Sequence, residues 1–202
     1  MLRRLRAGLT RLFTPVADVL LRWGVSPDAV TIVGTLGVAV AALWLFPLGH
    51  LFAGTLVITA FVFSDSLDGV MARRSGRASD WGAFLDSTLD RVADAAVFGG
   101  LVLYFVLRTD DHLGAGLAVA CLALGALVPY ARARAESLGM TANVGIAERA
   151  DRLLAVLVAT FLVGLGLPRA VLVTILGLLA VASAVTVVQR MQTVHRQAMS
   201  AR

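Results

Sequence analysis

The chain has 202 residues, of which 58% are hydrophobic and only 15% charged, against about 25% charged in an ordinary soluble domain. With a mean hydropathy of +0.84, that composition excludes an ordinary soluble domain and points to the bilayer as solvent. The net charge of +5 comes from arginine alone, since there is no lysine; no basic tract has the form of a nucleic-acid arm, so no nucleic-acid partner is expected, and a single cysteine, Cys121, excludes an intrachain disulfide.

Residues 1–23 mix Arg3, Arg4, Arg6, Arg11 and Arg22 with Leu5, Leu9, Leu12, Phe13, Val16, Val19 and Leu20, the composition of an amphipathic helix lying on anionic headgroups. The basic start is like that of a signal peptide, but Arg11, Pro15, Asp18 and Arg22 break the apolar run and no convincing cleavage site follows, so the segment reads as a retained interfacial helix. At Ser26-Pro27-Asp28, Ser26 can cap and Pro27 can open a helix. Apolar stretches near the length of about 20 residues that spans hydrocarbon follow at 28–46, 51–73, 82–107, 113–134, 149–166 and 169–194. The expected fold is an all-α integral membrane protein with six transmembrane helices. It forms one domain over 1–202, with the interfacial helix at 1–23 and the six-helix bundle at 28–194.

Arginines retained on the cytoplasmic side set the orientation. Five precede the first span, Arg73, Arg74 and Arg77 follow the second, Arg132, Arg134, Arg149 and Arg152 flank the loop after the fourth, and Arg190, Arg196 and Arg202 close the chain, whereas the opposite loops hold only Arg108 and Arg169. Both termini are therefore expected in the cytoplasm, in a multi-pass protein of the cell (plasma) membrane.

Against this apolar background, Asp65, Asp68, Asp86, Asp90, Asp94, Arg73 and Arg91 stand within or beside two spans, where ionisable groups are costly and usually face the bundle interior. Asp65 and Asp68 are three apart and Asp86, Asp90 and Asp94 are spaced by four, so each set shares a helix face. The short basic turn at 74–81 makes the two helices antiparallel neighbours with their acidic faces together. Converging carboxylates repel unless cations lie between them, and hard oxygen ligands suit Mg²⁺ or Mn²⁺, as a pair about 3.5–4 Å apart. Gly69 and Gly82 lie on the same faces, where a missing side chain lets a phosphate or nucleotide approach the backbone.

Residues 65–90, DSLDGVMARRSGRASDWGAFLDSTLD, resemble the full signature of the CDP-alcohol phosphotransferase family, with Asp65, Asp68, Gly69, Ala72, Arg73, Gly82, Asp86 and Asp90 at its fixed positions. The resemblance implies a site for two Mg²⁺ (or Mn²⁺) ions ligated by Asp65, Asp68, Asp86 and Asp90, with Asp90 as general base. It also implies a CDP-diacylglycerol donor lying against Asp28, Ala29, Val30, Thr31, Gly69, Arg73 and Ser79. Alone, Asp28 and Thr31 read as helix-start residues. The implied reaction is direct attack of an alcohol on the donor phosphate with loss of CMP, without a covalent enzyme intermediate, by a site facing the cytoplasm. A homodimer among membrane lipids is implied as well.

The signature does not choose the alcohol. Arg132, Arg134, Arg149, Arg152 and Arg190 suit a phosphorylated acceptor, because guanidinium groups bind phosphate through paired hydrogen bonds. The segments 130–137, 148–153, 188–194 and 26–31 are similar to the actinobacterial phosphatidylinositol phosphate synthases, which implies inositol 1-phosphate as acceptor, held by Arg132, Arg134, Arg152 and Arg190. Two departures, Arg132 for the usual Lys and Pro129 for the usual Ser, bear on that pocket. Asp94 reads either as a partner of an arginine or as a contact of an acceptor hydroxyl. The alternatives are a phosphatidylglycerophosphate synthase or another acceptor in the same family. Outside catalysis they are a divalent-cation channel or carrier, which the one-sided cluster and Arg73 oppose, and a scaffold without activity, which the intact motif opposes.

Overall fold

The computed structural model describes residues 14–75 and 79–200, with the side chains of 64–66 and 75 outside that description. Residues 14–22 form a helix, α1, and the remainder of the expected interfacial segment lies outside the described residues. Six more helices follow: α2 (Pro27–Leu45), α3 (Leu51–Ser75), α4 (Asp80–Tyr104), α5 (His112–Ser137), α6 (Arg149–Gly164) and α7 (Ala170–Ser200). α4 runs on into a five-residue π turn at Phe105–Thr109. No strand occurs among the described residues.

The helix starts follow from short polar residues. The Ser26 hydroxyl accepts from the N–H of Ala29 with Pro27 in the first turn, Ser79 accepts from Gly82, and Asp111 accepts from Gly114; each satisfies an N–H that the first turn leaves unpaired. Gly24, Gly139 and Gly166, all at positive φ, close the chain after α1, α5 and α6.

Among the described residues, five helices are long and apolar enough to cross a membrane: α2, α3, α4 with its π turn, α5 and α7. α6 is different. Its 16 residues rise about 24 Å at 1.5 Å per residue, short of the roughly 30 Å hydrocarbon layer. Trp23 and Trp81 are exposed near one end of the bundle and Trp44 near the other, and the rise from Ser26 to Trp44 is about 27 Å. The tryptophans therefore stand where a bilayer puts its two interfaces.

The helices pack in a closed ring, in the order α2, α3, α6, α7, α5, α4 and back to α2. One expectation from sequence is corrected here. α3 and α4 are not packed neighbours; α2 lies against both. Small residues on α2 and its partners make that wedge fit. Gly37 faces the ring of Phe61 on α3, and Gly100 on α4 lies under the carbonyl oxygen of Ala42. The acidic ends of α3 and α4 are thereby held apart across an open cleft instead of being pressed together.

Gly100 makes this wedge testable. A β-carbon there would collide with the Ala42 carbonyl, a backbone atom with no rotamer to relieve it. Gly100→Ala is expected to destabilise the fold by about 1–3 kcal/mol, the usual range for overpacking, read as a lower melting temperature in detergent. Gly116→Ala, where nothing lies within 4 Å, is the control and should melt like the wild type.

The main core holds Phe46, Ile58, Val97, Phe98, Leu101, Phe105, Leu172 and Leu176. A smaller cluster of Ala17, Leu67, Val70 and Met71 seats α1 on the last turns of α3. There Asp18 receives both Nε and Nη2 of Arg74, at 2.7 and 3.0 Å.

Candidate active site

The signature residues gather at the end of the bundle where α2 and α4 begin and α3 finishes. A cleft of about 290 Å³ is lined by Pro27, Asp28, Thr31, Asp68, Gly69, Ala72, Ser79, Gly82, Ala83 and Asp86. A second, much narrower cleft of about 20 Å³ is lined by Thr31, Gly34, Thr35, Phe61, Asp90 and Arg149, among others. Thr31 belongs to both, and its hydroxyl donates to Oδ2 of buried Asp68. A residue that reads in sequence as a helix-start residue is therefore the joint between the two clefts.

Glycine shapes the larger cleft. A β-carbon on Gly82 would stand 3.5 Å from the Ser79 hydroxyl and 3.8 Å from Oδ1 of Asp28, and one on Gly69 would stand 3.4 Å from Nη1 of Arg73. With hydrogen at both positions, the cleft floor stays open between a cation, a hydroxyl and carboxylates. Of the donor residues expected from sequence, Asp28, Thr31, Gly69 and Ser79 line this cleft and Arg73 stands over Gly69. Ala29 and Val30 do not line it. The Ala29 N–H is spent on the Ser26 cap, and Val30 packs against the α1–α3 cluster.

Of the four expected metal ligands, Asp68 and Asp86 line the large cleft and Asp90 the narrow one. Asp65 lies on α3 one turn before Asp68, its side chain outside the described residues. Among the described side chains, no three His, Cys, Asp or Glu groups are close enough to hold a metal ion by themselves. The donor chemistry nonetheless fits a hard divalent cation. Asp86 makes no hydrogen bond or ion pair among the described residues while sharing its cleft with Asp68 and Asp28, and a carboxylate left without a protein cation suits a hard ion such as Mg²⁺ or Mn²⁺.

Asp90 is differently placed. Nη1 of Arg149 meets its Oδ1 at 2.8 Å, and Nη2 of Arg91 stands 3.6 Å from its Oδ2. The Nε of Arg149 also donates to Oδ1 of Asp94 at 3.1 Å, and Asp94 Oδ2 faces Nη2 of Arg152 at 3.6 Å. Sequence reasoning counted Arg149 in the arginine cluster suited to a phosphorylated acceptor but gave it no contact with the carboxylates, and left Asp94 undecided between two roles. The signal was a matched spacing: Asp90 and Asp94 are one turn apart on α4, and Arg149 and Arg152 one turn apart on α6.

The arginines assigned to the acceptor divide into two kinds. Arg132 and Arg134 are exposed, with Arg132 paired to Glu136 at 2.9 Å on its own helix and Arg134 bonded to Ser137 at 3.3 Å. Arg152 is 1% exposed and Arg190 is 5% exposed. Arg152 donates to the carbonyls of Ala147 and Gly125 at 3.2 and 3.3 Å, and its buried Nε has no hydrogen-bond partner among the described residues. Arg190 donates to the carbonyls of Val144 and Val128.

Pro129 explains one of these bonds. It sits inside α5 and has no N–H, so the carbonyl four residues earlier, that of Gly125, loses its helical partner. Arg152 supplies the missing donor.

The loop at 138–148 carries α6 into place and hangs from α7. The Thr186 hydroxyl accepts from the N–H groups of Ile146 and Ala147 at 3.1 and 3.2 Å, Arg190 holds the Val144 carbonyl at 2.9 Å, and Gln197 brackets the N–H and carbonyl of Thr141. Gly145 has φ +144° and lies against Thr186, leaving no room for a side chain.

Residues 24–188 match the model of the CDP-alcohol phosphatidyltransferase family. The chain is 50% identical to phosphatidylinositol phosphate synthase of Streptomyces avermitilis, over 97% of this chain and 83% of that one. It is also 50% identical to the enzyme of the same name from Cutibacterium acnes, over 97% and 98%. Among solved structures, Mycobacterium tuberculosis phosphatidylinositol phosphate synthase with CDP-DAG bound superposes with a TM-score of 0.87 at 42% identity, covering 91% of this chain and 94% of that one. The same enzyme in complex with manganese and citrate superposes with a TM-score of 0.85 at 42% identity, covering 90% and 88%.

Proposed function

The chain belongs to the CDP-alcohol phosphatidyltransferase family, an enzyme family of the membrane, and from that premise we propose that it transfers the phosphatidyl group of CDP-diacylglycerol to inositol 1-phosphate. The products are phosphatidylinositol phosphate and CMP. The observation that carries this reading is the open cleft in which Asp68 and Asp86 face Gly69, Gly82, Ser79 and Asp28, one residue away, through Thr31, from the cleft of Asp90. Relatives named for this reaction, 50% identical over 97% of the chain, support the acceptor.

In this reading the donor pyrophosphate lies over Gly69 and Gly82, with Arg73 on its anionic oxygens and Ser79, Asp28 and Thr31 around the nucleotide. Asp65, Asp68, Asp86 and Asp90 would hold two Mg²⁺ or Mn²⁺ ions, whose chemistry is to neutralise the pyrophosphate and the departing CMP; the manganese complex of the M. tuberculosis relative supports a divalent metal. Asp90 takes the proton of the acceptor hydroxyl as its oxygen bonds to the lipid-side phosphorus, and the bridging oxygen leaves with CMP. The acceptor phosphate belongs among Arg132, Arg134, Arg152 and Arg190. The buried, unpartnered Nε of Arg152 favours an anion there.

Six spans are part of the proposal, with α6 completed by the turn that follows it. So are a cytoplasmic site in the plasma membrane, on the arginine-rich side, an interfacial first helix, and a homodimer. The test supplies purified protein with radiolabelled CDP-diacylglycerol and Mg²⁺, and compares inositol 1-phosphate, inositol and glycerol 3-phosphate as acceptors. Lipid product and CMP are expected only with inositol 1-phosphate. They should vanish on chelation with EDTA and return with Mg²⁺ or Mn²⁺. Product only with glycerol 3-phosphate would reassign the acceptor, and no product with any would overturn the transferase reading.

A further inference from the structure

Of the two arginines that stand beside the proposed base, Arg149 makes the closer contact; Nη2 of Arg91 lies 3.6 Å from the other oxygen, Oδ2. The Nη1 of Arg149 covers Oδ1 of Asp90 at 2.8 Å and its Nε is anchored on Asp94 at 3.1 Å. Asp94 is in turn tied to Arg152, which is fixed by the carbonyls of Ala147 and Gly125. The chain of contacts thus runs from the backbone of α5 to the carboxylate that must receive a proton. Its last link is the least buried: the side chain of Arg149 is 25% exposed against 2% for Arg152. Arg149 also lines the narrow cleft beside Asp90 and Thr31, and its side chain, 25% exposed, is open to an anion from outside that cleft.

We propose that Arg149 is a positioning residue that keeps Asp90 covered until a phosphorylated acceptor arrives, the acceptor phosphate drawing the guanidinium off Asp90 Oδ1 and so admitting the acceptor hydroxyl to it. The inference rests on the reading of Asp90 as general base. Its consequence is protection of the donor. With Asp90 covered, water is not activated; with the acceptor bound, the attacking oxygen is the acceptor's. Both reactions form an oxygen–phosphorus bond at the lipid-side phosphorus, break the bond from that phosphorus to the bridging oxygen, release CMP and leave one proton on Asp90. They differ only in whether the oxygen comes from water, giving phosphatidic acid, or from the acceptor. A phosphate dianion carries more charge than the carboxylate of which Nη1 meets one oxygen, and a planar guanidinium can grip two of its oxygens at once; Asp94 remains to hold the displaced side chain nearby.

The test measures phosphatidic acid formed without acceptor and phosphatidylinositol phosphate formed at saturating inositol 1-phosphate, in Mg²⁺, for wild type, Arg149→Gln, Arg149→Lys and Asp90→Asn. The ratio of hydrolysis to transfer is expected to rise at least tenfold in Arg149→Gln. It should rise less in Arg149→Lys, whose single ammonium cannot span Asp90 and Asp94 together. An unchanged ratio in both variants, whether the two rates are kept or fall in parallel, would overturn the inference, because loss of a merely structural arginine lowers both alike. If Arg149→Gln does not fold, the Arg149→Lys ratio alone decides. Asp90→Asn separates the inference from its premise. Transfer surviving in Asp90→Asn sinks the base reading and the inference with it; transfer lost there, with an unchanged ratio in the Arg149 variants, sinks the inference alone.

Discussion

Asp90→Asn is expected to lower turnover about 10³-fold or more with every acceptor, at the upper end of what a positioned general base contributes. An amide oxygen keeps the shape of the carboxylate but cannot take the hydroxyl proton. Its ion pair with Arg149 is partly exposed, with 20% of the Asp90 side chain and 25% of the Arg149 side chain accessible, so little folding energy is at stake. The melting temperature should therefore stay near that of the wild type while lipid product disappears from a CDP-diacylglycerol assay. A variant that retains a tenth of the activity would place the proton elsewhere.

Arg152→Ala is expected to act on the folded state itself. The guanidinium serves the Ala147 carbonyl, the Gly125 carbonyl and Asp94 at once, with only 1% of the residue exposed. Alanine would leave a buried carboxylate and two carbonyls without that donor, and breaking a buried pair by removing one partner costs about 3–5 kcal/mol. That is a large part of the 5–15 kcal/mol that typically holds a domain together. A sharply lower melting temperature in detergent should accompany the loss of activity, and Arg152→Lys should rescue little, since one ammonium cannot reach three partners set around a planar group. A normal melting temperature with only a raised acceptor KM would mean that Arg152 contacts acceptor and nothing else.

Helix positions were legible because their signals are local. Ser26-Pro27 and Ser79 mark starts within a few residues of where α2 and α4 begin, and the stretches of apolar residues give α3, α5 and α7 their extents. The aspartate spacing likewise brought Asp68, Asp86 and Asp90 to one end of the bundle. The wedge of α2 between α3 and α4 was not legible, because it depends on which small residue meets which carbonyl, as at Gly100 and Ala42, across a separation that no periodicity records. The part played by Arg149 was hidden for the same reason. Positive-inside bias accounts for any arginine at that end of the chain, and only the 2.8 Å contact with Asp90 distinguishes this one. Arg152 and Arg190 were legible as cations but not as backbone clasps, since the carbonyls they hold belong to residues 5 to 62 positions away.

α7 has 31 residues, about 46 Å at 1.5 Å per residue, well beyond the roughly 30 Å needed to cross the hydrocarbon. Its second half is the peg from which the 138–148 loop is suspended, through Thr186, Arg190 and Gln197. The loop and its peg are therefore inherited as two separated stretches of chain that must change in concert. A loop grafted from a relative would arrive without its peg, and a recombinant that exchanges the loop has to carry the end of the last helix along with it.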